Sequence, residues 1–149
     1  MSGDSELVGR IRAAREYIRR RTAFAPHLGI ILGTGLGDFD ERELAVEARI
    51  PFADIPHFPV TGVEGHAGEM LLATFRGHAV AILRGRIHGY EGYRLREVAF
   101  PVRVLKAIGV ETLVLTNAVG GMNPAYRAGT LVLVTDHINL TGDNPLIGP

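Results

Sequence analysis

The N-terminal segment carries apolar side chains at the spacing of a helix. Leu7, Ile11, Ala14 and Ile18 recur every three or four positions, which places them on one face of an α-helix. Arginines occupy the other face, at positions 10, 12, 15, 19, 20 and 21. A basic stretch of this kind can contact nucleic acid. The apolar stripe instead favours an amphipathic helix that covers a sheet and keeps its arginines in solvent.

Short apolar runs follow this helix and predict β-strands. They cover residues 28–32, 44–52, 69–75, 79–85, 112–116 and 130–138. Residues 76–78 fit the tight turn of a hairpin between the third and fourth runs. The run at 112–116 (TLVLT) is apolar enough that we expect it to be covered on both faces. Residues 94–108 predict a helix that Pro101 bends, and the whole pattern indicates an α/β fold.

Composition limits the classes of protein that this sequence can represent. With 149 residues and 46% hydrophobic content, the chain is long enough to bury one core, so we expect a single α/β domain over residues 1–149. Sixteen basic residues balance sixteen acidic ones, and this balance favours neither nucleic acid nor a membrane surface. Cysteine is absent and the N-terminus is too charged for a signal peptide, so we expect a cytoplasmic protein.

In an α/β sheet, ligands bind where loops leave the carboxyl ends of the strands. Three loops with unusual residues follow predicted strands, at 33–37 (GTGLG), 86–91 (RIHGYE) and 117–121 (NAVGG). The six histidines show no zinc-ligand spacing such as HExxH, so no metal site is expected. The three loops are therefore the candidate ligand site.

The first loop contains glycines at alternate positions, 33, 35 and 37. A dinucleotide-binding turn needs G-x-G-x-x-G at the start of a helix, but too few residues separate these glycines from the strand predicted at 44 for a helix to fit. Glycines also allow backbone N–H groups to approach an oxyanion closely. The loop therefore favours a compact anion site, although a purely structural turn is the other interpretation.

The other residues of these loops suit a phosphate ion. The hydroxyl of Thr34 can donate a hydrogen bond, and the guanidinium of Arg86 can hold two phosphate oxygens at once. His88 on the same loop and the backbone N–H of Ala118 can supply further donors. The combination therefore predicts a site for inorganic phosphate.

Several longer motifs make the chain resemble the trimeric class of purine nucleoside phosphorylases along nearly all of its length. The motifs are LGTGLG (32–37), IPHFP (55–59), EGHAG (64–68), GRIHGYEGY (85–93), TNAVGGMNP (116–124) and DHINLTGDNPLIGP (136–149). The resemblance implies a mixed, largely parallel twisted sheet flanked by helices in three layers, and a homotrimer. It also implies reversible cleavage of a purine nucleoside by phosphate, with no other cofactor.

The resemblance also implies roles for particular residues. Phosphate-binding positions correspond to Thr34, His66, Arg86, His88 and the backbone of Ala118, and His88 is the expected catalytic residue. Tyr90 corresponds to a ribose-contacting position, and Ala118, Val119 and Gly120 lie at the substrate. Many members of the family have serine in place of Thr34. Glu91 is open to two interpretations, since it can orient the His88 imidazole or be a surface carboxylate.

The family pattern extends well beyond the motifs found here. Its residues that grip the purine belong to a C-terminal half, and residue 149 corresponds to about the middle of the pattern. We therefore expect residues 1–149 to be the N-terminal part of a longer phosphorylase domain. A truncated phosphate-binding protein without catalysis, and an enzyme like the related methylthioadenosine phosphorylases, are the alternatives.

Overall fold

In the computed structural model, residues 3–33, 35–36, 40–60 and 68–147 are described, and they form a five-stranded sheet and three helices. The helices are α1 (Gly3–Arg21), α2 (Leu95–Val98) and α3 (Phe100–Ala107). The strands are β1 (Leu28–Leu32), β2 (Leu44–Pro51), β3 (Glu69–Phe75), β4 (His78–Arg84) and β5 (Thr112–Leu115).

The strands lie in the order β2-β3-β4-β1-β5. Strand β1 is parallel to both β4 and β5, whereas β3 is antiparallel to both β2 and β4. It follows that β3 alone runs against the direction of the other strands of this sheet. The predicted mixed sheet flanked by helices is confirmed, and the carboxyl ends of β4, β1 and β5 lie side by side.

A two-residue turn joins β3 to β4, and it confirms the predicted hairpin. Phe75 pairs with His78, and the two residues between them, Arg76 and Gly77, have φ angles of 48° and 83°. Positive φ at both central positions is the conformation that matches the twist of the two strands. This turn fixes the register of β4 and thereby the position of its carboxyl end.

The main core lies between one face of the sheet and helices α1 and α3. Ala14 and Ile18 of α1 are fully or almost fully buried, as are Val104 and Leu105 of α3. These side chains pack with sheet residues such as Met70, in one cluster that Leu7 and Ile11 also join. The apolar stripe of the N-terminal helix therefore covers the sheet as predicted.

Arg19, on the basic face of α1, forms hydrogen bonds to the backbone of other segments. Arg19 donates hydrogen bonds to the carbonyl oxygens of Phe24, at 2.7 Å, and Ile108, at 2.6 Å. Ile108 follows α3, so this guanidinium joins the end of α1 to the end of α3. Helical spacing alone could not reveal this partner, because it lies 89 positions away in sequence.

The opposite face of the sheet has a buried cluster of its own. Leu71 and Ala73 of β3 and Val80 and Ile82 of β4 are at most 3% exposed, and they pack together with Leu32. Alternation along β3 and β4 thus places apolar side chains on both faces. A helical layer over this second face stays a prediction.

The helix predicted at 94–108 is divided into two helices, α2 and α3, with Ala99 between them. Pro101 is in the first turn of α3, where its missing N–H costs nothing, whereas it would interrupt a continuous helix. The break turns α3 onto the core while α2 stays near the carboxyl end of β4.

Among the described residues, no helix has the length and apolar character that crossing a membrane requires.

Two expectations for the C-terminal strands are wrong. Strand β5 is not covered on both faces, since Val114 and Leu115 are 44% and 59% exposed. Residues 130–138 form no strand, and Leu131 and Leu133 are largely exposed. A strand needs a neighbour to accept its backbone hydrogen bonds, and in the described part of the chain β5 pairs only with β1. The described residues therefore do not supply the neighbours that would cover β5 on both faces or pair with residues 130–138.

Candidate functional site

The three candidate loops meet at one edge of the sheet. They follow β1, β4 and β5, which are adjacent and parallel, so their carboxyl ends lie together. Contacts between the described loop residues confirm this arrangement and converge on Thr116, the residue directly after β5.

Thr116 contacts both other loops. Its hydroxyl oxygen Oγ1 accepts a hydrogen bond from the backbone N–H of Gly33, at 2.8 Å. Its carbonyl oxygen accepts a hydrogen bond from Nη1 of Arg86, at 3.0 Å. No local sequence pattern predicts these contacts of Thr116. The available signal was a threonine between an apolar strand and a glycine-containing loop.

Two glycines of the first loop have conformational or packing reasons to be glycine. A Cβ atom on Gly33 would lie 2.5 Å from the carbonyl oxygen of Thr116, which is too close for any other residue. Gly35 has a φ angle of 87°, a conformation that favours glycine. Packing at Gly33 and backbone conformation at Gly35 therefore favour glycine, and both are compatible with a site for an anion in the same loop.

Arg86 retains an uncompensated positive charge within the described part of the chain. Its side chain is half-buried. None of the described residues places a carboxylate within 4.0 Å of its guanidinium. Its Nε atom is buried without a hydrogen-bond partner there. A buried donor without an acceptor is costly, and an anion beside this guanidinium would supply one.

Arg84, two positions earlier, is in the opposite situation. Its Nη1 atom lies 2.9 Å from Glu41 and 2.8 Å from Glu69. Arg49 also pairs with these two carboxylates, so two arginines and two glutamates form one network. Arg84 is therefore neutralised by its neighbours, and Arg86 is the better candidate for binding a phosphate ion.

His88, Tyr90 and Glu91 lie together in the loop after β4. The rings of His88 and Tyr90 stack, with centroids 4.7 Å apart and planes 14° apart. The carboxylate of Glu91 accepts a hydrogen bond from the backbone N–H of His88, at 2.8 Å, in a 3-10 turn over Gly89–Glu91. Glu91 thus holds the backbone that carries His88. Tyr90 is 77% exposed, so one edge of this stack is open to a ligand or another chain.

The other predicted residues are more exposed or lie outside the described residues. Ala118, Val119 and Gly120 directly follow the Thr116 junction and are exposed. The space beside Gly120 is open: a Cβ atom there would have no described atom within 4 Å, apart from those of Gly120 and its two sequence neighbours. Thr34 and His66 lie outside the described residues, so their roles stay predictions. Among the described residues, no three acidic, histidine or cysteine side chains are close enough to hold a metal ion.

An apolar cavity of about 240 Å³ adjoins Arg86. Its walls come from β1 and β4, from the helices α2 and α3, and from Leu115. Arg86 is the charged residue among those that line it. Because a low-polarity wall screens charge weakly, an anion held at Arg86 would experience a stronger attraction than at an open surface.

Comparison with known families identifies the chain's relatives. Residues 27–149 match the family model of the phosphorylase superfamily. The chain belongs to the phosphorylase superfamily. The matched residues include the five described strands and all three candidate loops.

Purine nucleoside phosphorylases are among the most similar members of the phosphorylase superfamily. Purine nucleoside phosphorylase 1 of Bacillus subtilis is 50% identical over 140 residues, which are 94% of this chain and 51% of that protein. The enzyme of the same name from Geobacillus stearothermophilus is 49% identical over 93% of this chain and 50% of its own length. The chain thus spans about half the length of these relatives.

A solved structure has a similar fold. It is isoform 2 of purine nucleoside phosphorylase from Schistosoma mansoni, in complex with cytosine and ribose-1-phosphate. The TM-score is 0.83 at 41% identity, over 95% of this chain and 50% of the other. This likeness agrees with the mixed sheet described above.

Proposed function

We propose that the protein containing this chain is a purine nucleoside phosphorylase. It cleaves purine ribonucleosides and 2′-deoxyribonucleosides with inorganic phosphate, and it gives the free base and ribose 1-phosphate or its 2-deoxy form. The observation that carries the proposal is the half-buried guanidinium of Arg86, which has no carboxylate partner among the described residues and lies where three loops of the sheet meet. The similarity to enzymes named purine nucleoside phosphorylase supports the same function.

Phosphate binds at this edge through donors from all three loops. Arg86 presents its charge and its unpartnered Nε–H to the dianion, and bidentate contact of this kind is a strong interaction. Thr34, His66, His88 and the backbone N–H of Ala118 complete the set. Each of these donors fixes one oxygen, so the phosphate is oriented before the nucleoside reacts.

The reaction transfers the sugar from the base to phosphate. The bond between C1′ and the purine nitrogen lengthens, and positive charge develops on the ribose, as in glycoside hydrolysis. A phosphate oxygen then forms the new bond to C1′. The electron pair of the broken bond leaves with the purine, which takes up a proton, and the hydrogen phosphate dianion gives up one as its oxygen becomes bonded to C1′. The phosphate dianion is both nucleophile and counter-charge, and His88, as the catalytic residue, orients it.

The nucleoside contacts the exposed side of the same edge. Tyr90, whose ring stacks on His88 and is largely exposed, contacts the ribose. Ala118, Val119 and Gly120 lie beside the base. The groups that grip the purine belong to the part of the relatives beyond the region matched here. The protein needs no cofactor besides the co-substrate phosphate, acts as a cytoplasmic homotrimer and binds neither nucleic acid nor membranes.

A phosphorolysis assay tests this proposal. The product of the complete gene is incubated with inosine, with and without phosphate, and release of hypoxanthine is followed. We expect release that depends on phosphate, and methylthioadenosine in place of inosine separates the two phosphorylase activities. Phosphate binding without release of any base would instead favour the non-catalytic alternative, and binding of NAD without phosphate binding would contradict the anion site.

A further inference from the structure

Thr116 is the described residue at which the three loops of the candidate site are joined. We propose that Thr116 is a positioning residue, which holds Arg86 and the glycine loop in the relative arrangement that phosphate binding requires. This inference rests on the proposed function, and it adds a residue whose role the phosphate ligands alone do not explain.

The hydroxyl group of Thr116 fixes the start of the glycine loop. Oγ1 accepts a hydrogen bond from the Gly33 N–H at 2.8 Å and donates one to the Ile31 carbonyl at 3.3 Å. The backbone N–H of Thr116 also donates to the Ile31 carbonyl, at 3.1 Å. The hydroxyl is therefore used as both donor and acceptor. Gly33, whose N–H it holds, directly precedes Thr34, the residue predicted to bind phosphate.

The carbonyl group of Thr116 fixes Arg86. It accepts a hydrogen bond from Nη1 at 3.0 Å, which limits the directions in which the guanidinium can point, while Nε has no partner among the described residues. The same oxygen would be 2.5 Å from a Cβ on Gly33, so the peptide group after Thr116 is in close contact with the glycine loop. A shift of Thr116 would therefore move Arg86 and Gly33 relative to each other.

Thr116 also directly precedes the third loop. Asn117 is the next residue, followed by Ala118, whose N–H is a proposed phosphate donor. Thr116 thus contacts or directly precedes each of the three loops. We expect a change in the Thr116 side chain to affect phosphate more than nucleoside. The partners of the hydroxyl lie in β1 and the glycine loop, whereas the loop that carries Ala118, Val119 and Gly120 continues from the Thr116 backbone, which the change leaves in place.

Three variants of the complete gene product test this role. Thr116→Val replaces the hydroxyl by a methyl of similar shape and leaves the Gly33 N–H without its acceptor. We expect the KM for phosphate to rise on the order of tenfold, with the KM for inosine within about twofold. Thr116→Ser restores the hydroxyl and should restore the phosphate KM. Thr112→Val makes the same replacement at an exposed position of β5 and is the matched control, with wild-type values expected.

Several outcomes would overturn the positioning role. An unchanged phosphate KM in Thr116→Val, equal impairment of Thr116→Ser and Thr116→Val, or an equal loss of phosphate and inosine affinity would each contradict it. Calorimetric titration with inorganic phosphate separates this inference from the proposed function. If the wild-type protein has no phosphorolysis activity but binds phosphate, a tenfold weaker Kd in Thr116→Val still supports the positioning role. If the wild-type protein binds no phosphate, both proposals fail.

Discussion

Arg84 and Arg86 are two positions apart in sequence, and their electrostatic surroundings are opposite. Arg84 is paired with Glu41 and Glu69, whereas Arg86 contacts the neutral carbonyl of Thr116 and its Nε has no partner in the described part of the chain. Within that part, the charge of Arg84 is compensated, while that of Arg86 is available for an anion. The first prediction follows from this difference.

Replacement of Arg86 by alanine should lower kcat/KM for phosphorolysis. Loss of one well-placed charged donor costs about 2 to 4 kcal/mol of transition-state stabilisation. Steady-state kinetics of the complete gene product at phosphate concentrations below KM checks this. Arg76→Ala is the matched control, because Arg76 is exposed in the β3–β4 turn, far along the strands from the carboxyl ends. Activity within about threefold of wild type in Arg86→Ala would remove Arg86 from the site.

Thr34 gives a second prediction at this scale. Thr34→Ser keeps the hydroxyl and should leave the KM for phosphate nearly unchanged. Thr34→Val keeps the shape but loses the donor, and it should raise the KM for phosphate because one hydrogen bond to the anion is lost. Thr34→Ser removes only the methyl group and Thr34→Val replaces only the hydroxyl, so the pair separates the effect of shape from that of hydrogen bonding. Equal phosphate KM values for both would mean that the loop acts as a turn and not as a ligand.

Local sequence patterns identify the three loops of the candidate site but not Thr116, the residue that contacts the other two loops. Residue types suited to phosphate identified Arg86 and His88 as candidates. The contact between Gly33 and Thr116 joins residues 83 positions apart, and no local pattern encodes such a distance. The role of Glu91 was also undecided, because neither spacing nor charge indicates that its carboxylate accepts the backbone N–H of His88.

At the scale of secondary-structure elements, the ion-pair network ties the segment before β2 to the middle of the sheet. Glu41 precedes β2, Glu69 begins β3, and Arg84 ends β4. Glu69 and Arg84 are direct cross-strand partners, and Glu41 reaches across to the same guanidinium. The network therefore holds the region that follows the glycine loop against the two strands of the hairpin.

This network predicts a dependence of stability on pH. The hydrogen bond from Arg49 lowers the pKa of the Glu41 carboxyl, and the charges of Arg49 and Arg84 lower it further. A carboxyl with a lowered pKa in the folded state stabilises the fold above its unfolded pKa, and this contribution is lost as the pH falls through the folded value. Acidification below 4.5, the ordinary value for this carboxyl, should therefore weaken the network.

Glu41→Gln provides the measurement. At neutral pH the variant should be less stable than the wild type by about 1 kcal/mol or less, the range for partly exposed pairs. The difference in melting temperature should shrink as the pH falls below 4.5. Glu47→Gln is the control at an exposed position of β2. A Glu41→Gln difference that does not change with pH would contradict the assigned role of the charge.

The elements themselves were predicted with uneven success, and the reason is physical. Strands β1, β3 and β4 and the hairpin turn have local signals, namely apolar runs and a turn-forming Arg76–Gly77 pair. The segment 130–138 has an equally apolar run but forms no strand, because pairing depends on a neighbour that the run does not specify. Burial of β5 was overestimated for the same reason.

At the scale of the whole molecule, apolar surface is concentrated after β4. Leu131, Leu133, Ile138 and Leu140 each expose at least 85% of their surface. Strand β5 adds a half-exposed face and, in the described part of the chain, an unpaired outer edge. Exposed apolar patches and open strand edges both promote association between molecules.

A polypeptide of these 149 residues expressed alone should therefore be poorly soluble or form irregular oligomers. It should release no hypoxanthine from inosine above a buffer control, because the resemblance to purine nucleoside phosphorylases implies that the residues gripping the purine lie beyond the matched half. Size-exclusion chromatography and the phosphorolysis assay check the two expectations. The complete gene product is the comparison in both measurements, and a homogeneous trimer of the 149-residue polypeptide with phosphate-dependent turnover would contradict them.

The position of β1 between β4 and β5 determines when the site can form during folding. Leu28 pairs with Val80 and with Thr112, so long stretches of chain must close into loops before β1 is in place, and such closure slows folding. The β3–β4 hairpin is local and can form within about 1–10 μs. The strand before Arg86 can thus pair early, whereas Thr116, which accepts a hydrogen bond from Arg86, is placed only when β5 pairs with β1. Phosphate would then bind the fully folded chain in preference to partly folded forms. Its presence during refolding would therefore shift the population toward the native state.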